Sequence, residues 1–144
     1  MSRQYPERPI PAVGVVVLRG NEVLLIRRGR EPRKGSWSLP GGAQKLGETV
    51  REAALREVRE ETGLTVRLGG LIDVVDSVIE GDNDRSEYHY TLIDFAAEWI
   101  EGEARAGGDA AEVRWVRVDD LVDYALWTET QRIINQALEI VAAN

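Results

Sequence analysis

The chain has 144 residues, 43% of them hydrophobic, and a formal net charge of −7. That length fits one domain of ordinary size over 1–144 with enough apolar residues for a core, and the acidic balance excludes a broad nucleic-acid-binding surface. The absence of cysteine excludes disulfides, thiolate zinc sites and cysteine nucleophiles, while the polar start MSRQYPERPIPAVG and the short apolar run at 13–18 leave no signal peptide or membrane span, so the expectation is a soluble cytoplasmic protein with no membrane partner.

Residues 1–9 are polar and punctuated by proline, and read as a loose arm. Ile10 to Leu18 is rich in β-branched residues and predicts a strand. The turn Arg19-Gly20-Asn21-Glu22 joins it to a second strand, Val23 to Arg28. A basic loop, Gly29 to Gly35, carries Arg30, Arg33 and Lys34, and a short strand at Trp37 to Leu39 is stopped by Pro40-Gly41-Gly42. A helix follows, with Thr49 as N-cap, Glu52 completing a capping box and Gly63 closing it. Leu64 to Ile79 is strand-like with a break at Gly69-Gly70, and Glu80 to Ser86 is a polar loop. A long strand, Glu87 to Trp99, a loop, Gly102 to Ala111, and a further strand, Val113 to Val118, come next. Asp119 to Tyr124 and Thr128 to Ala142 read as helical. The simplest architecture is α/β, a mixed sheet covered on both faces by helices.

The helix is the most informative element. At about 100° per residue, Glu57, Glu60 and Glu61 fall within one arc of roughly a quarter turn. Like charges at i and i+4, here Glu57 and Glu61, destabilise an isolated helix by about 0.2–0.5 kcal/mol. A generic Glu-rich helix would simply present such a face to solvent. The surrounding register, with Gly42, Glu48, Arg56, Gly63 and Leu64 all in place, argues for something positive in the cluster. The natural candidate is a divalent cation such as Mg²⁺, whose chemistry is displacement by water at phosphorus.

These residues resemble the signature of the Nudix hydrolases, G-x5-E-x7-R-E-U-x-E-E-x-G-U with U aliphatic. Gly42, Glu48, Arg56, Glu57, Val58, Glu60, Glu61, Gly63 and Leu64 fill every specified position, and a chance match is on the order of 10⁻⁷. A looser resemblance runs from about Val13 to Val118. It implies a Nudix-type α/β/α sandwich and an enzyme acting on phosphoanhydride bonds, with Mg²⁺ as cofactor and Mn²⁺ as substitute. By the same resemblance Glu57, Glu60 and Glu61 are metal ligands and catalytic residues, the Gly41 carbonyl is a main-chain ligand, and Glu48 and Arg56 form a structural ion pair.

The family also draws a carboxylate from a distal loop. Asp109 and Glu112 are the candidates here, with Glu112 first because it directly precedes a strand. Arg27, Arg28 and Gly42 are the candidate substrate-binding residues, although Arg27 and Arg28 point to opposite faces of a regular strand, so at most one faces the site. Trp37 is read as packing ahead of base stacking, Tyr124 and Trp127 as core ahead of a pocket border, and His89, the single histidine, as structural or surface. The leading substrate class is a nucleoside diphosphate linked to another moiety, with ADP-ribose the best guess. The proline that marks one ADP-ribose group is missing, since none follows Pro40. The alternative is a nucleoside triphosphate pyrophosphatase. A non-catalytic nucleotide-sensing Nudix domain is the third reading. A homodimer is left open.

Overall fold

The computed structural model describes residues 3–142. Its centre is β1 (Ile10–Arg19), which pairs in parallel with β6 (Ser86–Glu101) along nearly its whole length. On the other side β1 meets β4 (Gly41–Ala43) at its start and β2 (Glu22–Arg28) at its end, both antiparallel. β2 carries β3 (Trp37–Ser38) and β7 (Ala110–Arg117), and β6 carries β5 (Thr65–Glu80), which makes a mixed seven-stranded sheet.

Side chains alternate between the faces of a strand, and in β1 both sets are apolar. Val13, Val15 and Val17 pack with Ala53, Ala54 and Val58 of α1 (Val50–Thr62). Val16 and Leu18 pack with Ile133, Ile134 and Ala137 of α2 (Thr128–Ala142). A strand buried on both faces needs no polar alternation, which is why β1 reads as a continuous apolar run. The sheet therefore lies between two helices, as the α/β expectation required. No helix among the described residues is long and apolar enough to cross a membrane.

The capping box at the start of α1 is present. Thr49 Oγ1 accepts from the Glu52 N–H at 3.1 Å, and the Glu52 carboxylate accepts from the Thr49 N–H at 3.0 Å. At the other end Gly63, at φ 74°, sits in the left-handed conformation and donates to the Arg59 carbonyl. Thr49→Ala is expected to lower stability by about 1 kcal/mol, read as a smaller denaturant midpoint with an unchanged m-value.

Several boundaries differ from the sequence-based expectation, each for a reason of pairing. Gly41-Gly42, expected to end a strand, form one, because β2 pairs with β1 only at Glu22 and Val23 and leaves residues 12–14 of β1 an edge for β4. The break expected at Gly69-Gly70 is a register shift inside one continuous β5. The segment after β7 is a 3₁₀ helix, Val118–Tyr124. β7 begins at Ala110, inside the expected loop, because Ala110 pairs with Arg28. The arm expected to be loose is tied at Tyr5, whose N–H donates to the Glu87 carbonyl at 2.7 Å and whose hydroxyl accepts from the Asp82 N–H at 3.2 Å; residues 1 and 2 lie outside the described residues.

Candidate active site

The site grows from the side of α1 that faces β4. Glu61 is only 4% exposed, and its Oε1 accepts the Gly41 N–H at 2.7 Å. The Glu57 carboxylate rests directly against Gly42. A Cβ on Gly42 would lie 2.6 Å from Glu57 Cδ and 2.7 Å from each of its oxygens, so only glycine leaves room for that carboxylate.

Arg56 holds the second side of the site. Its Nε and Nη2 reach Glu48 at 2.6 and 2.9 Å, which is the fork-to-fork geometry that guanidinium offers a carboxylate. Nη2 also donates to the Ala43 carbonyl at 3.1 Å, and Nη1 donates to Glu57 at 2.7 Å and Glu60 at 3.1 Å. One guanidinium thus ties the loop before α1 to the helix. Its hydrogen bonds hold the Glu48 carboxyl down at about 2.

Burial acts in the opposite sense on the neighbouring pair. It raises the Glu57 carboxyl, against the pull of Arg56, and it pushes Glu61 up to about 8. For Glu61 the Gly41 N–H works against the rise, while the charges of Glu57 and Asp109 add to it. The folded state therefore keeps a proton on Glu61 that the unfolded chain releases near pH 4.5. Stability of the metal-free protein is expected to fall as pH rises from about 4.5 to about 8, then to level off. Melting temperatures in chelator across that range test this. Glu61→Gln should flatten the slope, and a wild-type curve that rises through the window would contradict it.

The other expected residues divide. Asp109 lines the cleft and pairs with Arg30 at 3.2 Å. Glu112, the first choice for the distal carboxylate, is instead bound to Arg27 at 2.7 Å and does not line the cleft. The two meet because Arg27 and Glu112 are direct partners across β2 and β7. Arg28, on the opposite face, lines the cleft and donates from Nε to the Pro32 carbonyl at 2.7 Å. Glu60 is half-exposed and is held by Arg56 outside the cleft lining. His89 is also outside it.

Among the described residues, no three Asp, Glu, His or Cys side chains converge into a metal-holding group. Of the expected trio, Glu57 and Glu61 line the cleft, while Glu60 pairs with Arg56 beside it. The Glu57/Glu61 pair nonetheless fits a hard divalent cation. Its donors are all oxygen, Glu61 is buried without an ion pair among the described residues, and the charge of Glu57 raises the cost of charging Glu61. A cation such as Mg²⁺ or Mn²⁺ takes few protein oxygens and keeps several waters.

Glu57 and Glu61 line a cleft of about 580 Å³ that is also lined by residues of β1, β6 and α2. This is within the range of small-molecule sites, roughly 300–1,000 Å³. Trp37, Tyr88, Tyr90 and Trp127 also line it, and Tyr124 packs edge-on to Trp37 at 5.3 Å between centroids. The tryptophans read as core packing thus also border the cleft. Asp94 of β6, which the sequence reading passed over, lies on the cleft floor at 4% exposure. The available signal was a lone acid in the apolar run Leu92-Ile93-Asp94-Phe95-Ala96.

Fold and site together define an α/β protein with an acidic helix set against a nucleotide-sized cleft. Residues 8–137 match the NUDIX domain family model, and the chain belongs to the Nudix hydrolase family. It is 40% identical over 113 residues to the ADP-ribose pyrophosphatase of Methanocaldococcus jannaschii, covering 78% of this chain but only 64% of that protein's length. Its structure is similar to the MutT NUDIX hydrolase of Burkholderia pseudomallei, with a TM-score of 0.78 and 32% identity over 90% of this chain and 98% of that one. The NUDIX domain of Shewanella oneidensis NrtR, solved with ADP ribose, shares the fold at a TM-score of 0.74 and 19% identity over 94% of this chain and 90% of that one.

Proposed function

We propose that the protein is a divalent-cation-dependent pyrophosphohydrolase that cleaves the P–O–P linkage of a nucleoside diphosphate joined to another moiety, with ADP-ribose as first candidate. The observation that carries this reading is that buried Glu61 and partly buried Glu57 line the same cleft as four aromatic rings. The identity to a protein named as an ADP-ribose pyrophosphatase supports the choice of substrate.

Glu57 and Glu61 are the residues that would hold the cation, Mg²⁺ or Mn²⁺. When bound, it offsets negative charge on the phosphate oxygens and lowers the pKa of a coordinated water. Arg56 fixes the Glu57 carboxylate through Nη1, and the Gly41 N–H fixes Glu61. Arg28 supplies positive charge on the cleft wall. Of the two distal candidates Asp109 lines the cleft and Glu112 does not, which favours Asp109 as the acceptor of the attacking water's proton. Hydrolysis adds hydroxyl to one phosphorus, breaks its bridging P–O bond and leaves the proton for the departing phosphate.

A panel of nucleotides incubated with Mg²⁺ or Mn²⁺, with products separated by chromatography, tests the proposal. AMP and ribose 5-phosphate from ADP-ribose are the expected products. Pyrophosphate released from a nucleoside triphosphate, with ADP-ribose inert, would replace this reading by the triphosphate one.

A further inference from the structure

We propose that Asp94 selects the base of the bound nucleotide by accepting a hydrogen bond from the exocyclic amine of adenine on the cleft floor. The inference rests on the reading of this cleft as a nucleotide site, and it assigns the residue that discriminates among nucleotides there.

Asp94 is placed by strand alternation. Tyr88, Tyr90, Leu92 and Asp94 occupy every second position of β6, so they share one face, and all four line the cleft. Its carboxylate lies over Gly14, its partner on β1, where any Cβ would collide with Oδ1. The space that the carboxylate occupies thus exists only because residue 14 has no side chain.

Nothing inside the protein accounts for a charged group at this depth. The Asp94 carboxylate has no hydrogen bond or ion pair among the described residues. Arg132 is near enough for its charge to act on Asp94, but its guanidinium is engaged by Asp73 at 2.8 Å and Glu129 at 2.5 Å. Burial raises the carboxyl to about 7, which records the cost of ionising it there. A buried polar group is normally paired, so an unpaired one facing a cavity points to a partner that arrives with the ligand.

The surroundings specify that partner. Trp37, Tyr90, Trp127, Leu92 and Ile133 line the same cleft as Asp94 and make its walls aromatic and apolar, which suits the faces of a planar heterocycle better than a sugar. Across the sheet Asp94 pairs with Gly14, and Gly14 pairs with Gly41, whose N–H binds Glu61. Two strand spacings, about 10 Å, therefore separate the Asp94 backbone from that of Gly41 beside the carboxylates, a distance on the scale of a nucleoside. Asp94, Glu57 and Glu61 line the same cleft, so a base at Asp94 would share it with the carboxylate pair. Whether charged or neutral, the carboxyl offers an acceptor oxygen to the adenine amine.

Calorimetric binding of AMP and of purine riboside 5′-monophosphate, which lacks only the amine, tests the assignment without requiring turnover. Wild type is expected to prefer AMP by about tenfold or more, because a site built around a hydrogen bond rejects the analogue that cannot make it. Asp94→Asn keeps a carbonyl acceptor and should retain the preference. Asp94→Ala, or Asp94→Leu if the smaller side chain impairs folding, should bring the two affinities together. Equal wild-type affinities, no binding of AMP, or a preference that survives both apolar substitutions would overturn the inference. Inert ADP-ribose with an Asp94-dependent AMP preference would refute the proposed reaction alone; turnover of ADP-ribose without that preference would refute only the role of Asp94.

Discussion

Glu61→Gln is expected to reduce metal-dependent hydrolysis by about 10²–10³-fold while leaving the protein folded. The magnitude is that of removing one preorganised electrostatic element from a reaction centre. The amide can still accept the Gly41 N–H through its carbonyl, so the local hydrogen bond survives and the charge alone is lost. Because burial opposes that charge, the metal-free variant should melt no lower than wild type at neutral pH, and higher toward pH 8. A ligand that binds only the folded state stabilises it in proportion to RT ln(1 + [L]/Kd). Added Mn²⁺ should therefore raise the melting temperature of wild type and leave Glu61→Gln unmoved. Glu57→Gln should behave alike in activity, although Arg56 offsets part of its charge. Full metal-dependent activity in either variant would remove the ligand assignment.

Arg56→Met should damage stability and activity together. All three guanidinium nitrogens are engaged, on Glu48, Glu57, Glu60 and the Ala43 carbonyl. Methionine fills the volume and satisfies none of them, leaving carboxylates close together without their shared cation. A fall in melting temperature of about 5–10 °C is expected for a chain of this size. Glu57, already raised by burial, would rise further and lose the ionised form that a cation needs. Activity should fall by about 10–100-fold, the usual effect of removing a group that orients a ligand. Arg56→Lys should recover part of the stability and little of the activity, because an ammonium cannot make the two-pronged contact with Glu48. Thermal melts and initial rates on the three proteins check this; an unchanged melting temperature in Arg56→Met would show that the network contributes nothing.

What was legible in the sequence is what is decided locally. The capping box, the closing Gly63 and the register of Glu57 and Glu61 all lie within one helix, where spacing alone places side chains. The β-branched run of β1 likewise announced a strand. The departures come from contacts between segments far apart in the chain. Alternation put Arg27 and Arg28 on opposite faces, but only the pairing of β2 with β7 shows that Arg27 meets Glu112, while the bulge beside Arg28 brings Asp109 to the cleft. Glu60 shares the arc of Glu57 and Glu61, yet Arg56 one turn earlier captures it. Asp94 was invisible because its meaning depends on the absence of a side chain at Gly14, eighty residues earlier by number and one strand away in space.

Anomalous diffraction from crystals grown with Mn²⁺ tests whether Glu57 and Glu61 hold a divalent cation where the cleft meets α1. A manganese peak is expected between the Glu57 and Glu61 carboxylates of wild type, lost in the double variant Glu57→Gln/Glu61→Gln. A peak elsewhere, or one that persists in the double variant, would contradict it.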